Sequence, residues 1–330
     1  MGFGDLPPIE TADSYLDSAF SNARTLARKH TLAEHDKSKL QKERTLGFLK
    51  MNAVKDYLIH QFDNIIAKYP NMDNLPEFYV QLLRLTLNFK QLKKSLGSLN
   101  WAKDQIRVLN RHMRPKLLGA TDVPTAQKAQ NMYYGRVSSV LKQIKKELAY
   151  LHLARQTMRD YPSVKEDLYT ICIAGFPNVG KSTVLSKLTP AKPEISSYAF
   201  TTKKLNMGYA TKNAIKFQYI DTPGTLNRTE RMNFIEKQAY IAMKYVGDVL
   251  LYVFDITESC GYTLHEQKKL LTRLKDYDKP IICFLAKTDL LTDAQVEGFQ
   301  SFFGRKKIPL FTEHEEIEDY ALAAYKESQK

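Results

Sequence analysis

Cysteine and tryptophan are scarce in this chain, with three and one respectively among 330 residues. The cysteines, Cys172, Cys260 and Cys283, form no spaced cluster, which leaves no disulfide framework; Cys172 and Cys283 fall in expected central strands and read as buried small hydrophobes in a reducing compartment. No apolar run approaches the roughly 18 residues of a membrane span. The N-terminal stretch Met-Gly-Phe-Gly-Asp-Leu-Pro-Pro has neither the basic flank nor the apolar core of a secretory signal. Leu6 stands where N-myristoylation needs Ser or Thr. The expectation is a cytoplasmic protein without a membrane. Internal repeats and low-complexity tracts are also missing.

Positive charge is plentiful: 49 basic against 36 acidic residues, a net charge of +13. It is unevenly placed. Residues 1–167 carry 27 basic and 17 acidic side chains, and residues 76–159 carry 16 and 4. A basic first half joined to a nearly neutral second half points to a polyanionic partner. The first half has helical periodicity, with helices expected over 11–30, 36–69, 77–96, 99–118 and 125–159 and breaks near Leu96-Gly97-Ser98 and Gly119–Pro124. It reads as an antiparallel helical bundle. The second half alternates strand and helix. Strands are expected near 169–174, 205–210, 215–220, 248–254 and 281–285, with helices near 181–188, 233–245, 264–276, 293–303 and 315–328. That alternation predicts an open, mostly parallel sheet. The expected domains are 1–160, a basic helical bundle, and 161–330, an α/β domain.

Residues 175–182, Gly-Phe-Pro-Asn-Val-Gly-Lys-Ser, match the phosphate-loop pattern G-x-x-x-x-G-K-[ST]. A strand candidate, Tyr169-Thr-Ile-Cys-Ile-Ala174, precedes it and a helix candidate follows. Read alone, such a pattern is also compatible with a chance glycine-rich turn. Gly175 and Gly180 let backbone amides converge on phosphate oxygens. Lys181 supplies a charge for the β- and γ-phosphates, and Ser182 a hydroxyl for Mg²⁺. Asp221-Thr-Pro-Gly224 follows another strand; Asp221 suits Mg²⁺ through water and Gly224 suits a γ-phosphate. A threonine in Tyr198-Ala-Phe-Thr-Thr-Lys203, Thr202, would join the Mg²⁺ shell only while the γ-phosphate is present. Ala286-Lys-Thr-Asp289 is N-K-x-D with its first residue altered. The Asp289 carboxylate accepts two hydrogen bonds from guanine and rejects adenine. Four motifs in order, each at a strand end, predict a Ras-like P-loop GTPase domain preceded by an all-α helical bundle domain.

Several of these stretches, with Ile235-Glu-Lys-Gln-Ala239 and Tyr252-Val-Phe-Asp-Ile-Thr-Glu-Ser-Cys-Gly261 followed by Glu266-Gln267, resemble the nucleolar GTP-binding protein (Nog) family of Obg-like GTPases, in its short archaeal-type form. The block at 252–261 discriminates best, since other GTPases share the phosphate motifs. The resemblance implies a GTPase that assembles the large ribosomal subunit, is ribosome-associated in the cytoplasm, binds ribosomal RNA through its helical domain, and is a monomer off the ribosome. The expected nucleotide site comprises Gly175, Asn178, Val179, Gly180, Lys181, Ser182, Thr183, Thr202, Asp221, Gly224, Lys287 and Asp289. Among them Lys181, Thr202 and Gly224 are the catalytic candidates, and Ser182, Thr202 and Asp221 the Mg²⁺ ligands. Asn178 matches an asparagine that holds K⁺ in related GTPases; it is read equally well as a residue that only shapes the loop.

Three departures stand out. Thr225 and Leu226 follow Gly224 where Ras-type enzymes carry a water-orienting glutamine, so hydrolysis of GTP to GDP is expected to be slow without K⁺ or a partner. Ala286 replaces an asparagine that braces the loop. No residue near 308–314 matches the last guanine loop, and His265 and His314 read as surface histidines without a catalytic role. The alternatives kept open are an RNA-bound structural factor with a non-hydrolysing site, and a translational GTPase on mature ribosomes. Candidate RNA contacts are Lys93, Lys94, Lys103, Arg107, Arg111, Arg114, Lys116, Arg136, Lys142, Lys145 and Lys146, with Trp101, Tyr133 and Tyr134 available for stacking. The same residues are compatible with a solvated helix face over an aromatic core.

Overall fold

The computed structural model describes residues 3–31, 38–189, 194–197, 204–224, 234–304 and 308–330. Among them six helices precede the first strand: α1 (Ala12–Thr31), α2 (Lys39–Lys68), α3 (Glu77–Thr86), α4 (Phe89–Leu118), α5 (Val123–Gln143) and α6 (Lys145–Arg159). The chain forms two compact units. One holds Gly4–Asn74 and Leu87–Arg159; the other holds Met1–Phe3, Leu75–Thr86 and Asp160–Lys330. The sequence reading puts the boundary at 160/161. The structure instead groups α3 with the second unit.

Within the helical unit, α2 buries Met51, Val54, Leu58, Phe62 and Ile65 along one stripe, as the 3.6-residue period requires. Each such side chain contributes about 1.5–3 kcal/mol on burial. The helix starts in a capping box between Ser38 and Gln41. Helix α4 begins at Asn88, whose side chain accepts from the Gln91 amide at 3.0 Å. The break expected at residues 96–98 is therefore displaced to Leu87–Asn88, and α4 runs unbroken through Gly97. An interior glycine costs only about 1 kcal/mol against alanine, which a 30-residue packed helix tolerates. The single helix expected over 125–159 is divided at Ile144 into α5 and α6.

In the second unit, α3 is tied to the segment entering the sheet. The Tyr79 hydroxyl donates to the Pro162 carbonyl at 3.0 Å and accepts from the Val164 amide at 3.0 Å. Phe3 packs edge-on against Tyr79 and Tyr161. The sheet contains β1 (Tyr169–Ala174), β2 (Glu194–Ser197), β3 (Lys204–Lys212), β4 (Ile215–Asp221), β5 (Val249–Phe254), β6 (Ile281–Leu285) and β7 (Leu310–Phe311) in the order β2-β3-β4-β1-β5-β6-β7. Strand β3 runs antiparallel to both its neighbours; the other pairings are parallel. Helices α7 (Lys181–Leu188), α8 (Phe234–Tyr245), α9 (Leu264–Leu274), α10 (Asp293–Gly304) and α11 (His314–Ser328) complete the unit. The register pairs Ile173 with Asp221, Ala174 with Tyr252, and Phe254 with Leu285. The carboxyl ends of β1, β4, β5 and β6 thus lie side by side, and the loops that leave them share one edge of the sheet. Strands β2 and β7, which sequence periodicity did not predict, are four and two residues long, too short to carry an alternation signal.

Candidate nucleotide-binding site

The phosphate loop joins β1 to α7. Gly175 has φ 149°, and a β-carbon there would stand 3.0 Å from the Val253 carbonyl oxygen and 3.1 Å from the Val179 side chain. Gly180 has φ 104° and occupies the N-cap of α7, where no side chain caps the helix. The first ladder bond runs from the Val184 amide to the Gly180 carbonyl, so the amides of Lys181, Ser182 and Thr183 lie outside the helical ladder. Together with the helix dipole they form an anion site. Asn178 is exposed and left-handed, φ 63°, a conformation asparagine tolerates better than most residues, which is compatible with both the loop-shaping and the K⁺ readings. The Lys181 ammonium is almost buried and donates to the Phe176 carbonyl at 2.7 Å, which holds it across the loop.

Asp221 ends β4 directly opposite. Its Oδ2 accepts from the Ser182 hydroxyl at 2.6 Å and from the Asn206 amide at 3.3 Å. Its Oδ1 is buried and has no hydrogen-bond partner among the described residues. Burial raises the carboxyl above its ordinary value, against the opposing pull of Ser182, Lys181 and Asn206. A buried carboxylate with one unsatisfied oxygen beside a serine hydroxyl fits a divalent cation, so the donor set expected for Mg²⁺ is brought together at two of its three residues. The third, Thr202, lies outside the described residues. The adjoining turn is pinned by the Thr222 amide and hydroxyl, both donating to the Ile173 carbonyl at 3.1 and 2.8 Å. Gly224 then passes so close to the phosphate loop that a β-carbon would sit 2.6 Å from the Pro177 nitrogen.

Beside α7 a cavity of about 240 Å³ is lined by Gly180, Thr183 and Lys187, by residues 284–289 and by Thr312, Glu313 and His314. This brings Thr183, Lys287 and Asp289 together with the phosphate loop. Ala286 lies beside Gly180, and its amide is fixed to the Phe254 carbonyl at 2.9 Å. Lys287 takes a left-handed backbone, φ 59°, and its ammonium reaches Asp255 Oδ2 at 2.6 Å. His314 is not a surface histidine: it is half-buried, packs on the Phe284 ring at 4.8 Å and faces the cavity. Burial first and Lys187 second hold it below its ordinary pKa, with Glu313 opposing. Thr312, Glu313 and His314, in the stretch where the last guanine loop has no sequence match, thus line the same cavity as residues 284–289. The Thr312 and Glu313 amides both donate to the Glu316 carboxylate at 3.1 Å. Asp255 is the other residue that sequence reasoning missed as a site member. Its only signal was its place at the end of β5, inside the block that discriminates the family.

The helical unit carries the basic residues. Arg107, Arg111 and Arg114 are exposed on α4, with Trp101 40% exposed on the same helix. Lys94, Lys116, Arg136, Lys142 and Lys146 are also exposed. Three candidates are engaged locally: Lys93 with Asp73 at 2.6 Å, Arg107 with Asp104 at 2.9 Å, and Lys145 with Asp13 at 3.4 Å. Lys103 is buried against Asp63 at 2.5 Å, which removes it from the phosphate-contact set. Tyr133 is fully buried, with its hydroxyl donating to the Met51 carbonyl at 3.2 Å, and belongs to the core. Tyr134 is half-buried against Phe20. Trp101 alone of the three aromatics is open for stacking. No described helix is long and apolar enough to cross a membrane.

Comparison with known proteins bears on both units. Residues 3–165 match the family described as the NOG1 N-terminal helical domain, and residues 170–287 the family described as 50S ribosome-binding GTPase. An uncharacterized protein of Methanocaldococcus jannaschii is 36% identical over 298 residues, 89% of this chain and 83% of that protein. Nucleolar GTP-binding protein 1 of Eremothecium gossypii is 31% identical, covering 88% of this chain and 45% of its own length; that of Saccharomyces cerevisiae is 29% identical, covering 94% and 48%. This chain thus spans under half the length of these fungal relatives. A crystal structure of a nucleolar GTP-binding protein 1 from Plasmodium falciparum aligns with 51% of this chain and 92% of its own, at 29% identity and a TM-score of 0.41. With both family descriptions matched in order across 3–287, a helical domain followed by a Ras-like GTPase domain, the chain belongs to the nucleolar GTP-binding protein (Nog) family.

Proposed function

We propose that this protein binds GTP with Mg²⁺, hydrolyses it slowly to GDP and phosphate, and serves as an assembly factor on the large ribosomal subunit. The observation that carries the nucleotide part is the unsatisfied Oδ1 of Asp221, buried beside Ser182 below an uncapped helix N-terminus. Ser182 and Asp221 would hold Mg²⁺, which neutralises phosphate charge when bound. The amides at the start of α7 bind the phosphate oxygens. Lys181 exchanges its bond to the Phe176 carbonyl for a β/γ-phosphate contact. Gly224, packed on Pro177, presents its turn at the γ-phosphate end; the switch role expected of Thr202 belongs to the same proposal. Asp289 reads the guanine edge. Without a glutamine after Gly224, orientation of the attacking water falls to K⁺ or to the ribosomal partner.

The exposed basic face of α4 supports ribosomal RNA as the partner; a cytoplasmic, ribosome-associated protein that is monomeric off the ribosome is part of the same proposal. Its test is co-sedimentation with precursor and mature large subunits at increasing salt. Replacing Arg107, Arg111 and Arg114 by Glu should abolish binding to precursor particles and leave GDP affinity intact, because phosphate contacts make affinity salt-dependent. Unchanged binding would remove α4 from the interface. Preference for mature subunits would favour the translational reading.

A further inference from the structure

The loss of the bracing asparagine at position 286 raises the question of what holds the base-reading loop. The structure offers one residue. Asp255 follows β5 and is fully buried. Its carboxylate accepts from the Thr257 amide and hydroxyl, the Ser259 hydroxyl, the Cys260 amide and the Lys287 ammonium. Ser259 accepts a second bond from Lys287 at 2.8 Å. The same segment is locked to α9 by Gln267, which donates to the Asp255 and Tyr262 carbonyls and accepts from the Asp255 amide. It also reaches the phosphate loop, where Tyr262 stacks on Phe176 with ring centroids 4.2 Å apart. The strap of residues 255–262 thus touches both the phosphate loop and the base-reading loop.

We propose that Asp255 is the positioning residue for guanine recognition in this protein: it fixes Lys287, and through it the turn that carries Asp289, in place of the asparagine missing at 286. This rests on the reading of the cavity as a guanine-nucleotide site. Burial pushes the Asp255 carboxyl upward, but Lys287, Thr257 and Ser259 outweigh it and hold the group below the ordinary carboxylate value, so it is charged at neutral pH. Ala286 offers only a methyl group next to Gly180, and Lys287 sits in a left-handed backbone with its ammonium held by Asp255. Removing the charged acceptor frees the lysine and lets the turn at 288–290 shift. Lys181 bonds the Phe176 carbonyl, and the amides at the start of α7 make no hydrogen bond to Asp255, so the phosphate contacts stay in place.

The test is a titration of the full chain with GDP and with ADP in the presence of Mg²⁺. Asp255→Asn should weaken GDP binding about tenfold or more, as expected for hydrogen bonds to a charged group, while ADP binding changes little. Adding Ala286→Asn to that variant should restore much of the GDP affinity. Ser259→Ala, which removes one bond to each partner, gives a smaller loss of the same sign and decides the matter where Asp255→Asn does not fold. Equal losses for GDP and ADP, or an unchanged GDP-to-ADP ratio in the folded variants, would overturn the proposal. A parent protein that binds GDP and ADP alike would refute the guanine reading of the cavity as well.

Discussion

Gly224→Ala would place a methyl carbon 2.6 Å from the Pro177 nitrogen, 2.7 Å from its Cγ and 2.8 Å from its Cδ. Non-bonded carbon contacts are comfortable at about 3.5–4.0 Å, so the two loops must part by about 1 Å. Neither side has a rotamer that relieves the clash, because the obstacle is a proline ring and its own backbone. Overpacking of this kind costs about 1–3 kcal/mol. At about 2–4 °C per kcal/mol for a domain of this size, the GTPase unit should melt several degrees lower. The functional consequence is directional. In the proposed site GTP would touch both the phosphate loop and the turn at Gly224, whereas GDP would touch only the first. A non-hydrolysable GTP analogue should therefore lose more affinity than GDP. Gly208→Ala is the control: its methyl would run into the Thr189 side chain at the C-terminal end of α7, away from the phosphate loop, destabilising the unit without altering the GTP-to-GDP ratio. Thermal melting and nucleotide titration of both variants are the assays. Wild-type melting together with an unchanged GTP-to-GDP ratio in Gly224→Ala would refute the reasoning.

Asp221→Asn removes the charge that would receive a cation. GDP at about 100 times its Kd stabilises a protein by about 2.7 kcal/mol, and the Mg²⁺-dependent part of that shift should vanish in the variant when melting is measured with and without Mg²⁺. Gly97→Ala adds a methyl group with nothing within 4 Å inside α4, so denaturant unfolding should show a gain of about 0.5–1 kcal/mol; a loss would contradict an unbroken helix there. His314 has a lowered folded-state pKa, so its neutral form is favoured by folding. Its contribution is present above its ordinary value of 6.5 and is lost as pH falls through the lowered one. His314→Gln should therefore flatten the acid-side loss of stability below pH 6.5, read from melting temperatures across that range.

The parts of the fold that were legible are those whose chemistry constrains both sequence and position. Gly175, Gly180, Lys181, Ser182 and Asp221 must sit at adjacent strand ends to meet one ligand, so the motifs located the strands. The parts that were not legible depend on contacts far away in sequence. Helix α3 follows Tyr79, whose hydroxyl partners are Pro162 and Val164, more than 80 residues on; periodicity alone cannot report such a bond. Gly97 looked like a break because its local cost is visible and the burial of Leu92, Leu99 and Ile106 on either side is not. In the site, Thr312, Glu313 and His314 were invisible because backbone position and cavity shape, not residue type, place them there. Asp255 was quoted only as part of a resemblance, since its value lies in its partner Lys287, 32 residues away. Lys103 and Tyr133 failed in the opposite direction: their residue types suit RNA, but each faces inward.

The account rests on the cavity between α7, residues 286–289 and residues 312–314 being a guanine-nucleotide site. The most direct test is equilibrium binding and turnover of GTP and ATP by the purified chain with Mg²⁺, in K⁺ or Na⁺, with and without large ribosomal subunits. The account predicts binding of GTP and GDP in clear preference to ATP, slow release of phosphate from GTP, and a rise in that rate when subunits are added. Equal binding of GTP and ATP would contradict it, because Asp289 and the strap that holds its turn would then read no base.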